Sequence, residues 1–178
     1  MTIVPDTKNW TWVLDRACPE CGFDVTALDP RHVAGLLREN AADWGALLGS
    51  RADARTRPAP DVWSPVEYAC HVRDVFRIFD VRLRLMLTED DPLFANWDQD
   101  ETAIAERYAE QDPQVVAGEL TEAAAALATS FDAVDAGGWT RPGRRSDGSS
   151  FTVASFARYF IHDPVHHLRE VSRSAARG

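Results

Sequence analysis

The chain has 178 residues, 45% hydrophobic and 26% charged, with a net charge of −9. These are the proportions of one ordinary globular domain, and at this length folding buries about 70% of the unfolded surface without help from disulfides or structural metal. The negative balance excludes a nucleic-acid binder and a partner of anionic membranes, both of which need basic surfaces, and no apolar run reaches the roughly 18 residues of a spanning helix.

Met1–Asp6 lacks the basic-then-apolar order of a signal peptide, so a cytoplasmic location is expected. The first motif is Cys18-Pro19-Glu20-Cys21-Gly22-Phe23. It resembles one knuckle of a zinc ribbon or rubredoxin, in which two thiolates at this spacing grip a soft metal. A second, structural metal on Cys18 and Cys21 is therefore one reading, with His32 as a candidate third ligand. A pair of free thiols, or a turn packed by Phe23, is the plainer alternative. We read residues 1–178 as a single domain carrying this CxxC extension at 1–28.

Four long helices follow from caps and apolar spacing. The first starts at Asp29-Pro30, an N-cap followed by proline at the first helical position, and runs through Leu36, Leu37, Trp44 and Leu48 to about Gly49. The second opens on Ser64-Pro65-Val66-Glu67, a capping box, and carries Tyr68, Val72, Val75, Phe76, Phe79, Leu83 and Met86 to about Thr88. A short helix around Glu101–Tyr108 interrupts a long connection. The third long helix starts at Asp112-Pro113 and ends before Gly137-Gly138. Residues 137–150 are turn-forming and suit a small hairpin. The fourth helix begins near Thr152 and runs to about Ser172. Pro164 either sits inside it or starts a new helix capped by Asp163, and the periodicity of residues 153–161 favours a continuous helix. The fold class is an all-α four-helix bundle with long crossing loops.

Four of the five histidines occupy two helices. His162 and His166 are four residues apart, a spacing that lets two imidazoles on one helical face share a metal ion. His71, from the middle of the second helix, completes a three-nitrogen set that leaves positions open for chemistry. His167 points about 100° away from His166 and is the weaker ligand. Glu67 and Asp74 either orient the second nitrogen of His71 or serve as a cap and a solvated charge. Arg141, Arg144 and Arg145 either clamp an anionic substrate or form a basic loop. Trp63 and Trp139 are the expected pocket linings.

Trp63-Ser64 with His71, and the late pair His162 and His166, resemble the DinB/YfiT superfamily of metal-binding four-helix bundles over roughly residues 29–174. The resemblance implies a DinB-like bundle and a divalent ion, zinc first and nickel or iron next, on His71, His162 and His166. Its relatives include thiol S-transferases and mycothiol-dependent maleylpyruvate isomerase, and they often form homodimers. It implies a metal-dependent S-transferase or isomerase that joins a small thiol to a small electrophile, through a metal-stabilised thiolate. The 18 arginines against one lysine suggest a high-GC genome and make mycothiol the thiol of choice by analogy. A metal-assisted hydrolase using bound water, and a non-catalytic metal-binding stress-response bundle, are the alternatives.

Overall fold

The structure, a computed structural model, describes residues 9–175. The opening Met1–Asp6, read above for a leader, lies outside the described residues. The long helices are α1 (Val33–Ser50), α2 (Pro65–Thr88), α4 (Pro113–Asp132) and α5 (Val153–Ala175), with a short α3 (Gln99–Ala105) between α2 and α4.

Each helix begins where the local chemistry supplies a cap. Asp29 accepts from the Arg31 amide in the single 3-10 turn that leads into α1. Ser64 and Glu67 form a reciprocal capping box at α2, with Pro65 at its start. Asp112 accepts from the Gln114 and Val115 amides at α4, and Asp98 does the same for Asp100 and Glu101 at α3. These side-chain oxygens satisfy amides that have no partner within the helix.

Around the bundle the order is α1, α4, α2, α5: α4 packs along both α1 and α2, and α5 closes the ring against both. Successive long helices α1 and α2 are therefore diagonal, as are α4 and α5, which is why long crossings are needed. The core between α2 and α5 is aromatic. Phe79 lies 4.8 Å, centroid to centroid, from both Phe156 and Phe160, and Phe160 meets Phe76 and Phe131.

The hairpin expected in residues 137–150 is present, shifted slightly later, as β2 (Pro142–Arg145) and β3 (Ser150–Thr152). A two-residue strand β1 (Leu93–Phe94) joins it in parallel. This small sheet leads directly into α5. Pro164 lies inside α5, which continues through it. The buried Asn40 of α1 donates to the Pro164 carbonyl at 3.1 Å, which ties the two helices together at that point. No helix among the described residues is long and apolar enough to cross a membrane.

Candidate metal centres

Seven potential ligands come together on and around α5, but in two groups rather than one, with Glu170 beside a histidine of each. His162 and His166 stay together, with ring centroids 5.2 Å apart, and face Cys18 and Cys21. His71 does not join them. It meets Asp163 and His167, the neighbouring i, i+4 pair on α5. The three-histidine grouping expected from sequence is thus divided between two clusters.

Helix geometry gives the reason. At about 100° per residue, Asp163 and His167 fall within about 60° of the Phe160 direction, whereas His162 and His166 fall more than about 120° from it. Phe160 points to the bundle core, against Phe76 and Phe79 of α2. Its face therefore carries Asp163 and His167 toward His71, and the other face carries His162 and His166 toward the N-terminal segment. The sequence signal that marks this was the doubling of the pair in His162-Asp163-Pro164-Val165-His166-His167, with an aspartate able to stand where a histidine was sought.

The first cluster opens on a cavity of about 560 Å³ between α2, α5 and the Asn96–Asp100 segment. His71 Nε2 lies 3.4 Å from Asp163 Oδ1, and His167 Nε2 lies 3.7 Å from Asp163 Oδ2. The first contact leaves His71 Nδ1, His71 Nε2 and Asp163 Oδ1 all buried without a hydrogen bond. Orphaned buried polar atoms are costly, and a cation among them removes the cost. The separations suit one ion, because two ligand atoms about 2.05 Å from a tetrahedral metal lie about 3.3 Å apart. Asp163 is well chosen as the anionic member. Burial opposes its ionisation, but the His71 and His167 imidazoles hold its carboxyl well below the usual range.

Neighbours fix the ligands in place. Trp97 stacks on His71 at 5.5 Å and is itself anchored by its indole donating to Thr102 at 2.7 Å. Trp63 covers another side of His71. Glu170 lies 3.4 Å from His167 Nδ1 and accepts from the Tyr68 hydroxyl, a carboxylate placed to orient an imidazole whose other nitrogen faces Asp163. Glu67 and Asp74 do not take that role for His71. Glu67 caps α2 and receives Arg57, and Asp74 receives Arg73, Arg77 and the Tyr108 hydroxyl.

Of the three loop arginines, Arg145 alone lines the cavity. Arg141 donates to the Met86 and Glu89 carbonyls and Arg144 pairs with Asp91, so both support the fold. Arg82 of α2 is the cavity arginine that the sequence reading missed. Burial and the charge of Arg145 push its guanidinium down to about 10, and it donates to the Ala95 carbonyl at 3.1 Å, whereas Arg145 pairs with Asp147 at 2.7 Å. Trp63 lines the cavity as expected, whereas Trp139 stacks on Phe131 instead.

The second cluster is more enclosed. Cys18, Cys21, His162 and His166 are 1%, 4%, 4% and 9% exposed. Cys18 Sγ lies 3.8 Å from His166 Nδ1, and Cys21 Sγ lies 3.7 Å from His162 Nε2. Burial pushes His162 down to about 4, assisted by His166, and burial likewise lowers His166. Both rings are therefore neutral at pH 7, the form that binds metal. His32 is exposed at the start of α1 and is not a member of this cluster. The third cysteine, Cys70, is buried against Gln111 and burial pushes its thiol up to about 12, so it is inert.

A ring of four helices with unlike neighbours, closed around a donor set at α2 and α5, has a counterpart among known sequences. The profile of the DinB superfamily matches residues 36–171. The chain belongs to this superfamily. Among solved structures it is similar to YfiT of Bacillus subtilis, described as a probable metal-dependent hydrolase with an unusual four-helix bundle topology. The TM-score is 0.77 with 16% identity, covering 83% of this chain and 86% of YfiT. At that identity the likeness is one of fold. No curated protein matches the DinB-like chain by sequence.

Proposed function

We propose that this DinB-superfamily protein is a metal-dependent enzyme that activates a small thiol, mycothiol or a relative, for attack on a small electrophile. His71, Asp163 and His167 would hold the ion. The observation that carries this reading is the convergence of these three donors, with orphaned buried atoms, on a 560 Å³ cavity. A divalent ion there supplies positive charge that stabilises a thiolate at neutral pH.

The chain's own groups supply the rest. Arg82 and Arg145 put two guanidinium groups on the same cavity and form a seat for a carboxylate on the electrophile. Arg145 also donates to the Tyr159 hydroxyl at 2.7 Å, which fixes that hydroxyl at the cavity wall. Trp63 and Trp97 exclude water from His71. Glu170 sets the His167 ring with Nε2 toward Asp163.

Metal-assisted hydrolysis is the second reading. Two imidazoles with one carboxylate are the ligand set of hydrolytic zinc enzymes, and the description of YfiT points the same way. The experiment loads the purified full chain with zinc, manganese, nickel or iron(II). It is then offered thiols with carboxylated and uncharged electrophiles and, separately, esters and amides without thiol. Thiol-dependent product that disappears in His71→Ala and Asp163→Asn supports S-transfer. Thiol-independent cleavage lost in the same variants supports hydrolysis. Metal uptake without either reaction supports the non-catalytic bundle.

A further inference from the structure

We propose that Cys18, Cys21, His162 and His166 bind a structural zinc ion in a closed four-coordinate site that staples the N-terminal segment to α5. For bond lengths of about 2.3 Å to sulfur and about 2.05 Å to nitrogen, the sulfur–nitrogen edge of a tetrahedron is about 3.6 Å. The two measured edges are 3.8 Å and 3.7 Å, from different sulfurs to different rings, and all four donor atoms lie within 4.8 Å of one another. Such separations are long for hydrogen bonds but right for ligands around one ion.

The backbone around the cysteines is shaped for the same purpose. The Gly22 amide donates to the Cys18 carbonyl at 2.7 Å, and the Cys18 amide donates to the Phe23 carbonyl at 2.9 Å. The Phe23 amide points at Cys21 Sγ at 3.5 Å. Closing this turn requires a positive φ of 75° at Gly22, which a side chain would resist. From the other side, Arg169 donates to the Cys21 carbonyl at 2.8 Å and Arg173 to the Glu20 carbonyl at 2.5 Å. His166 turns its second nitrogen toward Glu20 and Glu170, at 3.8 and 4.0 Å, the outer carboxylates a ligating imidazole uses.

Two thiolates and two imidazoles select zinc over the hard divalent cations. Four protein donors leave no position for substrate, so the site is structural, although His162 and His166 also border the cavity while neither cysteine does. Two thiolates also balance the charge of the ion, which makes burial of the whole group tolerable.

The helix pairs of the two centres are interleaved, 162 with 166 and 163 with 167. Glu170 touches His166 and His167 alike. Fixing the first pair fixes the rotation of α5, and hence the aim of the second. This consequence alone rests on the pocket reading given above.

The test uses cobalt(II) as the probe in the full chain. Thiolate ligation gives a sulfur-to-cobalt charge-transfer band and the strong visible bands of a tetrahedral ion. Both are expected in the unaltered protein and in His71→Ala, and both should vanish in Cys18→Ser and His162→Ala. Zinc content should fall by one equivalent per chain in those two variants. Unaltered protein provides a check free of folding defects. Cys18 and Cys21 should resist a thiol reagent when zinc-loaded and react after chelation. If both thiols react equally with and without zinc, or form a disulfide in the zinc-loaded protein, the proposal is overturned. Absence of the charge-transfer band in His71→Ala that remains folded also overturns it. Loss of pocket affinity by about 10- to 100-fold in Cys18→Ser is the expected coupling. An unchanged pocket affinity removes the coupling while leaving the zinc site standing.

Discussion

Asp74 shows how a single side chain is committed before the metal centres are considered. It is 8% exposed, takes two bonds from Arg73 at 2.9 and 3.0 Å, and accepts from the Tyr108 hydroxyl at 2.5 Å. Arg73 in turn reaches Glu119 at 2.6 Å. Burial opposes ionisation of Asp74, but Arg73 and Tyr108 hold its carboxyl below the ordinary value. A depressed folded value contributes stability that is complete above about pH 3.9 and is lost as pH falls through the lower folded value. Asp74→Asn is expected to cost about 2 kcal/mol at neutral pH, because Arg73 loses its buried countercharge and keeps only the more exposed Glu119. It should also flatten the acid limb of stability, and urea midpoints measured from pH 7 to pH 3 check both. At the same scale, His167→Ala should remove the pocket ion while His32→Ala leaves metal content unchanged, as read by elemental analysis. His32 is exposed and outside every donor cluster among the described residues.

Among the elements, the small sheet depends on a close approach. A β-carbon on Gly143 would stand 2.7 Å from the Phe94 ring and 2.8 Å from Met86. Gly143→Ala is therefore expected to destabilise by about 1–3 kcal/mol, seen as a lowered thermal midpoint. Phe94 also meets Phe156 at 5.8 Å, so the disturbance reaches the start of α5. Elements of this kind differ in how far the sequence disclosed them. Ser64-Pro65-Val66-Glu67 announced the start of α2, and Asp112-Pro113 that of α4, because a cap is written in adjacent residues. Residues 153–161 announced that α5 would run on through Pro164, for the same local reason. The partners of each α5 face were not written locally. Cys18 and Cys21 meet His162 and His166 only in the folded chain, through a segment that has no periodicity. Asp163 was passed over because a lone carboxylate beside histidines looks like any charge on a helix. Arg82 was hidden similarly, since only the folded cavity distinguishes it from other arginines of α2.

On the scale of the molecule, core and N-terminal segment are held by different forces. The bundle buries Trp44, Phe76, Phe156 and Phe160 almost completely and gains its stability from apolar area. The N-terminal segment has fewer such residues. Val13 and Val25 are buried, and Trp10 packs on both His162 and His166. Treatment of the zinc-loaded protein with a strong chelator is therefore expected to leave the helical circular dichroism nearly intact. Amide exchange over residues 9–28 should accelerate, while α2 and α4 remain protected. Equal acceleration throughout would mean that the bundle, too, depends on metal.

The ring order α1, α4, α2, α5 has a bearing on biosynthesis. Cys18 and His166 are 148 positions apart, and Cys21 and His162 are 141 apart. A growing chain therefore exposes its two thiols well over a hundred residues before their imidazole neighbours emerge. Because α1 and α2 are diagonal, no compact hairpin forms early to shelter them. Over that interval the polypeptide carries an unfinished cysteine pair in the open. The last helix completes both histidine clusters in a single docking event.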